Sequence, residues 1–332
     1  MKAAVVGSGA WGTALAICLN KTGHDVVLWT FEKDLVAQMR ETRHNPRLPI
    51  AVLPDGIEIS SDYSCVSGCQ LVVVATPSFP IRGVCKGIAP YLEENAVVVC
   101  VTKGLEDGTL LRMSEVVEQE TGHKVVALTG PSHAEEVAVG IPTGCLAACE
   151  DQKSAEFVQD AFTSDNFRIY TSSDVVGAEL GGALKNVIAL CAGVTAGLGC
   201  GDNTKAMLMT RGLTEMGRLG VSMGAKKETF AGLSGVGDLI VTCTSMHSRN
   251  RRAGILIGQG LSPKEAMEQV GAVVEGYYAA KSAWELCVKQ RVEMPILQAA
   301  YNVLYNGASP AEAMRDLLVR QPKSETERSS WL

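Results

Sequence analysis

The chain opens Lys2-Ala3-Ala4-Val5-Val6-Gly7-Ser8-Gly9-Ala10-Trp11-Gly12, and these eleven residues decide how the rest is read. A short apolar run ends in G-x-G-x-x-G and leads at once into a helix-length stretch, residues 11–21. Alone, the glycine pattern arises by chance; between a strand and a helix it is the fingerprint of a dinucleotide-binding turn. Gly7 permits the tight turn, Gly9 lets backbone amides approach a pyrophosphate, and Gly12 lets helix and strand pack closely. The free N–H groups and positive dipole end of the helix then favour phosphate. The plain alternative is a packing turn with no ligand. An acid is expected about 20 positions on, where it accepts from the adenosine ribose. Glu32 stands there beside Lys33. A solvated surface glutamate reads equally well, so this corner does not decide NAD from NADP.

Working outward, β-rich runs recur at 26–29, 71–76, 96–102, 124–129, 142–149 and 167–171, mostly separated by helix-length stretches such as 79–92. The continuous apolar run 71–75 points to a sheet covered on both faces and therefore mostly parallel. Strand–helix alternation with parallel pairing is the doubly wound α/β plan. After about Asp174 the texture changes. Small residues at helical spacing follow, and helices are expected at 204–219, 252–258, 263–269, 277–289, 295–305 and 310–318. The sequence therefore predicts a Rossmann-type NAD(P)-binding domain over 1–175 and an all-α substrate-binding and catalytic domain over 176–332. The polar tail 323–332 is expected to fray.

Composition sets limits. At 332 residues the chain suits two domains, and 46% hydrophobic with 20% charged residues excludes disorder. A net charge of -6 gives no electrostatic footprint for nucleic acid, so an anionic small molecule needs a local cluster of cations. No apolar run reaches the about 18 to 20 residues needed to span a bilayer. Residues 2–7 lead straight into the glycine motif, which argues against a signal peptide. The eleven cysteines are odd in number and include no C-x-x-C. They read as free buried thiols in a reducing, cytoplasmic compartment, not as a metal site or disulfide framework.

A dinucleotide turn points to hydride transfer. Reducing a carbonyl builds alkoxide character on its oxygen, which requires a proton donor there and cations for any anionic handle. Lysine serves when nearby cations or burial lower its pKa. Lys103 ends the strand 97–102, and Lys185 interrupts the otherwise uncharged stretch 180–188. Each also reads as a snorkelling surface lysine. Residues 249–252, Arg-Asn-Arg-Arg, offer a bidentate fork for phosphate or a solvated basic face. Asp238, between glycine and leucine, orients a lysine or caps a helix.

Seven motifs stand in order: 7–16 (Gly-x-Gly-x-Trp-Gly-Thr-Ala-Leu-Ala), 102–106 (Thr-Lys-Gly-Leu-Glu), 129–136 (Thr-Gly-Pro-Ser-His-Ala-Glu-Glu), 181–187 (Gly-Gly-Ala-Leu-Lys-Asn-Val), 235–239 (Gly-Val-Gly-Asp-Leu), 248–252 (Ser-Arg-Asn-Arg-Arg) and 273–277 (Val-Val-Glu-Gly-Tyr). Together they resemble the bacterial NAD(P)-dependent glycerol-3-phosphate dehydrogenases over residues 1 to about 320. The resemblance implies that Lys185 is the proton donor and acceptor and that Lys103 touches both substrate and cofactor. It implies substrate contacts from Gly130, Ser132, Asp238, Ser248, Arg249 and Asn250, with Asn186 and Thr242 completing the polar shell. Cofactor contacts are implied for Ala10, Trp11, Ala134, Val273 and Glu275, and for Arg249. The activity implied is interconversion of dihydroxyacetone phosphate and sn-glycerol 3-phosphate with NAD(H) or NADP(H), without a metal. Two departures stand out. Ala10 replaces a frequent serine, which a backbone contact survives. Phe31 stands where the family often has Arg or His near the adenosine, which weakens the case for a 2′-phosphate contact.

The rival readings are a β-hydroxyacid dehydrogenase of the 6-phosphogluconate type, which would need carboxylate recognition, and a catalytically silent nucleotide sensor. The Ser248-Arg249-Asn250 cluster opposes the first; the joint presence of Lys103, Lys185 and Asp238 opposes the second. The small and apolar helical half points to a homodimer.

Overall fold

The computed structural model describes residues 1–322, 324 and 325; the remainder of the tail expected to fray lies outside the described residues. The eight strands are β1 (Lys2–Val6), β2 (Asp25–Trp29), β3 (Ile57–Ser60), β4 (Leu71–Val74), β5 (Val97–Cys100), β6 (Val125–Thr129), β7 (Thr143–Ala148) and β8 (Phe167–Ser172). They form one sheet in the order β3-β2-β1-β4-β5-β6-β7-β8. Every neighbouring pair is parallel except β6–β7, which runs antiparallel from Ala127↔Ala148 to Thr129↔Leu146.

The apolar runs form buried strands because both faces are covered. In β1 and β4 successive side chains enter different cores: Ala3, Val5, Leu71 and Val73 one, Ala4, Val6, Val72 and Val74 the other. That alternation is the strand period of two acting on a sheet with two apolar faces. Strand β3, Ile57-Glu58-Ile59-Ser60, was not among those expected. Four residues buried on one face at the sheet edge are too short a signal to separate from a loop.

Six helices accompany the sheet: α1 (Ala10–Lys21), α2 (Lys33–Thr42), α3 (Ile81–Ile88), α4 (Met113–Thr121), α5 (Ala134–Val139) and α6 (Gln152–Phe162). From β1 the chain builds outward to β2 and β3, then returns to lay β4 on the other side of β1. The glycine turn therefore sits at the topological switch point, where α/β sheets open a crevice at the carboxyl ends of their strands.

Eight helices follow: α7 (Val175–Gly197), α8 (Asp202–Ser222), α9 (Asp238–Thr244), α10 (Arg249–Gly258), α11 (Pro263–Val270), α12 (Glu275–Gln290), α13 (Pro295–Tyr305) and α14 (Pro310–Leu318). Asp174 starts α7: its carboxylate accepts from Gly177 N at 2.9 Å and from Lys226 N at 2.8 Å. Helix α7 corrects the expectation that no stretch is long and apolar enough to cross a membrane. Its 23 residues pass that test with a mean hydropathy of 1.5, but 83% of the apolar window is buried inside the fold. It is the central helix of this half, apolar all round because α8, α9, α10 and α12 pack on it. Its buried Glu179 accepts from Ser114 N (2.8 Å), Ser114 Oγ (2.6 Å) and Arg112 (2.6 Å), fastening the start of α4 to the helical half.

The eleven cysteines are all unpaired, eight buried and three half-buried. Burial pushes the Cys85 and Cys145 thiols up to about 12, as small apolar residues of a core should behave.

Candidate active site

The glycine turn fits the group it was read for. Gly7 has φ of +126°, and a Cβ there would meet Ala75 O at 2.5 Å; one at Gly12 would meet Gly7 O at 2.0 Å. Over Gly9 the space is open. Helix α1 has no side-chain cap, and its first hydrogen bond runs from Thr13 N to Gly9 O. The N–H groups of Ala10, Trp11 and Gly12 are thus without intrahelical partners, which is the condition for receiving a phosphate. The half-buried Trp11 packs its ring in a T-shaped contact with Phe167 of the core, 6.5 Å between centroids. Phe31 stands 71% exposed just beyond β2, offering an apolar surface and no charge.

Lys103 follows β5, whose carboxyl end lies beside that of β4; Thr102 Oγ1 donates to Thr76 O at 2.7 Å across the gap. From there Lys103 reaches the helical half. Its Nζ donates to Asp238 Oδ2 at 2.7 Å and to Gly130 O at 3.3 Å. Lys185, buried in α7, donates to the other oxygen, Asp238 Oδ1, and to Thr242 Oγ1 at 2.8 Å. One carboxylate thus holds two ammonium groups, each on its own oxygen.

Two glycines make the meeting possible. A Cβ at Gly181 would lie 2.4 Å from Ser234 O, so only glycine lets the turn Leu233–Gly237 lie on α7 and deliver Asp238. That turn is π-helical, a local widening frequent at functional sites. A Cβ at Gly182 would crowd Thr129 Oγ1 at 2.9 Å and the Lys103 stem at 3.5 Å.

The electrostatics follow. Burial lowers the Lys185 pKa to about 8; Asp238 opposes the shift and Lys103 adds to it. Burial pushes Asp238 upward, but the two ammonium groups outweigh it and hold the carboxyl below its ordinary range. The Lys185 pKa is thereby brought within about a unit of neutral pH, the range in which general acid–base chemistry operates. Two of its three protons are engaged by Asp238 and Thr242, and the third has no hydrogen-bond acceptor among the described residues.

The neighbouring polar groups close around this trio. Ser132 Oγ donates to Gly130 O at 2.9 Å, where Lys103 also points. Buried Asn250 donates to Asn186 Oδ1 at 2.9 Å and accepts from Gly276 N at 2.8 Å, joining α7, α10 and α12 while keeping one amide N–H free. Ser248 Oγ caps α10, accepting from Arg251 N at 3.2 Å. Arg249, exposed in the first turn of α10, makes no hydrogen bond or ion pair among the described residues. Glu275, first in α12, accepts from Ser78 Oγ at 3.2 Å in the loop after β4; burial raises its pKa and Ser78 and Arg249 restrain the rise. Val273 is half-buried just before it, and Ala134 is buried at the start of α5.

Two groups near the site escape a reading of the sequence. His133 stands at the start of α5 without a side-chain capping bond, and its buried Nε2 has no partner among the described residues; burial, and then the charge of Lys185, lower its pKa. Its place inside the motif 129–136 was the available signal. Arg47 bridges Ser8 and Glu32 beside the glycine turn, and no spacing rule points to it. Among the described residues no cluster of three or more His, Cys, Asp or Glu is placed to hold a metal ion.

A switch-point dinucleotide turn, and a lysine–carboxylate–lysine trio to which the sheet domain gives Lys103 and the helical unit gives Asp238 and Lys185, define a two-domain nicotinamide-dependent dehydrogenase. Residues 2–155 match the family described as NAD-dependent glycerol-3-phosphate dehydrogenase N-terminus, and residues 174–315 its C-terminus. Glycerol-3-phosphate dehydrogenase [NAD(P)+] of Thermoanaerobacter sp. (strain X514) is 50% identical over 326 residues, covering 98% of this chain and 99% of the relative. That of Pelotomaculum thermopropionicum is 51% identical, covering 98% and 95%. The crystal structure of glycerol-3-phosphate dehydrogenase from Coxiella burnetii, 36% identical, superposes with a TM-score of 0.92 over 96% of this chain and 99% of the other. The chain belongs to the NAD-dependent glycerol-3-phosphate dehydrogenase family.

Proposed function

We propose that this chain reversibly reduces dihydroxyacetone phosphate to sn-glycerol 3-phosphate with NADH or NADPH, supplying the backbone of glycerophospholipids, and that Lys185 is the proton donor. The observation that carries this reading is the pair of ammonium groups on one buried carboxylate, Asp238, between the two domains. The bound reduced nicotinamide supplies a hydride to the carbonyl carbon. Lys185 gives its uncommitted proton to the carbonyl oxygen, and in oxidation takes it back. Asp238 and Thr242 orient Lys185, while the Lys103 ammonium lowers its pKa and stabilises developing negative charge.

Gly130, Ser132, Asn186 and Asn250 line the substrate's hydroxyls, and Arg249 with Ser248 and Asn250 receives its phosphate at the start of α10. The exposed Arg249 fork is free to close on that anion, and the helix N-terminus adds its own N–H groups. Gly7, Gly9, Ala10, Trp11 and Gly12 hold the pyrophosphate, Phe31 flanks the adenosine, and Ala134, Val273 and Glu275 complete the cofactor shell with Lys103 and Arg249. A division near 175 is supported by the last strand ending at Ser172 and α7 beginning at Val175. The eleven unpaired thiols support a cytoplasmic site, and exposed apolar residues of the helical half, such as Met207, Val221 and Leu318, support a homodimer.

The deciding assay follows NADH and NADPH oxidation with dihydroxyacetone phosphate. Turnover is expected with it, whereas the reverse assay, reduction of NAD+ or NADP+ by 3-hydroxy acids, is expected to give none. Cofactor binding without turnover would mean a sensor, and turnover confined to hydroxy acids would mean the 6-phosphogluconate type.

A further inference from the structure

The adenosine end of the cofactor crevice holds a feature that Phe31 alone would not lead one to expect. Arg47 lies in the segment between α2 and β3, 15 residues after Glu32 and 39 after Ser8. Its guanidinium spans these two residues: Nη1 donates to Ser8 Oγ at 3.2 Å and Nη2 to Glu32 Oε2 at 2.5 Å. Ser8 belongs to the glycine turn, where a pyrophosphate sits, and Glu32 follows β2 at the position that meets the adenosine ribose. The guanidinium therefore lies along the edge joining the phosphate end of the crevice to its ribose end.

The backbone under Arg47 is fixed there. Asn45, fully buried, donates to Ser8 O at 2.8 Å and Thr13 Oγ1 at 2.7 Å and accepts from Arg47 N at 3.0 Å, while Leu48 is buried in the sheet's core. The side chain itself is 39% exposed and its ion pair with Glu32 is of the exposed kind, weakly held and readily exchanged. A fixed root with an exposed guanidinium on an exchangeable partner is what a conditional anion site needs. A 2′-phosphate would repel Glu32 and draw the bidentate fork, whereas a free 2′-hydroxyl would leave the pair intact and donate to Glu32.

Resting on the cofactor reading above, we propose that Arg47 is the specificity-determining cation for the 2′-phosphate of NADPH, taking the part that Phe31 does not play, and that Glu32 is its resting partner and the ribose ligand for NADH. The Glu32–Arg47 pair makes one pocket serve both cofactors. Specificity is then a difference between two affinities, set by opposite charges on neighbouring side chains.

The test is fluorescence titration of NADPH and NADH in the absence of dihydroxyacetone phosphate, so that it reads the pocket whatever the enzyme reduces. Arg47→Gln is expected to weaken NADPH about tenfold or more and NADH less than about threefold, the size of one charge-assisted hydrogen bond. Arg47→Lys, which keeps the charge and removes the fork, is expected to fall between. Glu32→Gln is expected to tighten NADPH and weaken NADH. Equal losses for both cofactors in Arg47→Gln would place the guanidinium on the shared pyrophosphate and overturn the proposal, as would an unchanged NADPH affinity. Should Arg47→Gln not fold, an Arg47→Lys variant with the wild-type ratio of affinities would overturn it equally. Absence of turnover with dihydroxyacetone phosphate, beside a shifted NADPH-to-NADH ratio, would instead overturn only the proposed reaction.

Discussion

Lys185 shows how much one side chain's surroundings decide. In water its ammonium would be a poor acid near pH 7; burial and Lys103 lower its pKa to about 8, and Asp238 keeps it from falling further. The sign of the pH dependence follows. Reduction needs the ammonium, so its kcat should fall about tenfold per unit as pH rises above about 8, while oxidation needs the free amine and should rise toward that pH and level off. A stopped-flow pH profile in both directions checks this; the same limb in both would exclude Lys185. Lys185→Ala should lose about 10² to 10⁴ in turnover with NADH affinity nearly unchanged, because the proton is transferred only in the transition state. Near wild-type turnover would remove it from the mechanism. Arg249 can be tested by charge-conserving replacement. Arg249→Lys should raise KM for dihydroxyacetone phosphate strongly and affect unphosphorylated dihydroxyacetone less, since a point charge does not replace a planar fork. Equal proportional losses with both substrates would count against a phosphate contact. Lys185 and Arg249 were singled out because their motifs resemble a known family; from the residues alone, each also read as a solvated side chain. Arg47 and His133 were not singled out, because an exposed arginine or a histidine in a loop is ordinary until its neighbours are known.

Helices α7 and α10 carry the site between them, Lys185 and Asn186 on one and Arg249 and Asn250 on the other. They cross at glycine against glycine. A Cβ at Gly193 would lie 2.1 Å from Arg251 O, and one at Gly254 would lie 2.0 Å from Leu190 O. The close approach is what brings Asn250 within 2.9 Å of Asn186. Gly254→Ala gains helix propensity but drives a methyl into backbone, so the helices must separate; a loss of about 3 kcal/mol is expected, at the upper end for overpacking. Thermal melting checks it, and an unchanged Tm would show that the crossing tolerates more space than its geometry implies. Periodicity located α7 and α10 well enough, since apolar spacing is a local property. It did not show which faces meet, and a search for unbroken apolar runs passed over α7, whose composition suffices for a membrane span although Glu179 and Lys185 interrupt it.

The two halves meet along a seam beyond the carboxyl ends of β4 and β5, where the loops carrying Ser78 and Lys103 face α12 and α9. Contacts cross it at Lys103–Asp238 and Ser78–Glu275. Assembly is checked by sedimentation velocity: a dimer is expected at micromolar concentration, and monomer alone would contradict it. What the chain order determined by itself was the α/β class, the dinucleotide turn, the change to helices near Asp174, and the family, because strand alternation, helical spacing and glycine motifs are each written within a few consecutive residues. Only the tertiary structure decided that Asp238 divides its two oxygens between lysines 53 and 135 residues away, and that Arg47 joins Glu32 to Ser8 of the glycine turn. Such pairings depend on which faces pack and in what register, and that is set by burial of the whole core rather than by any local run of residues.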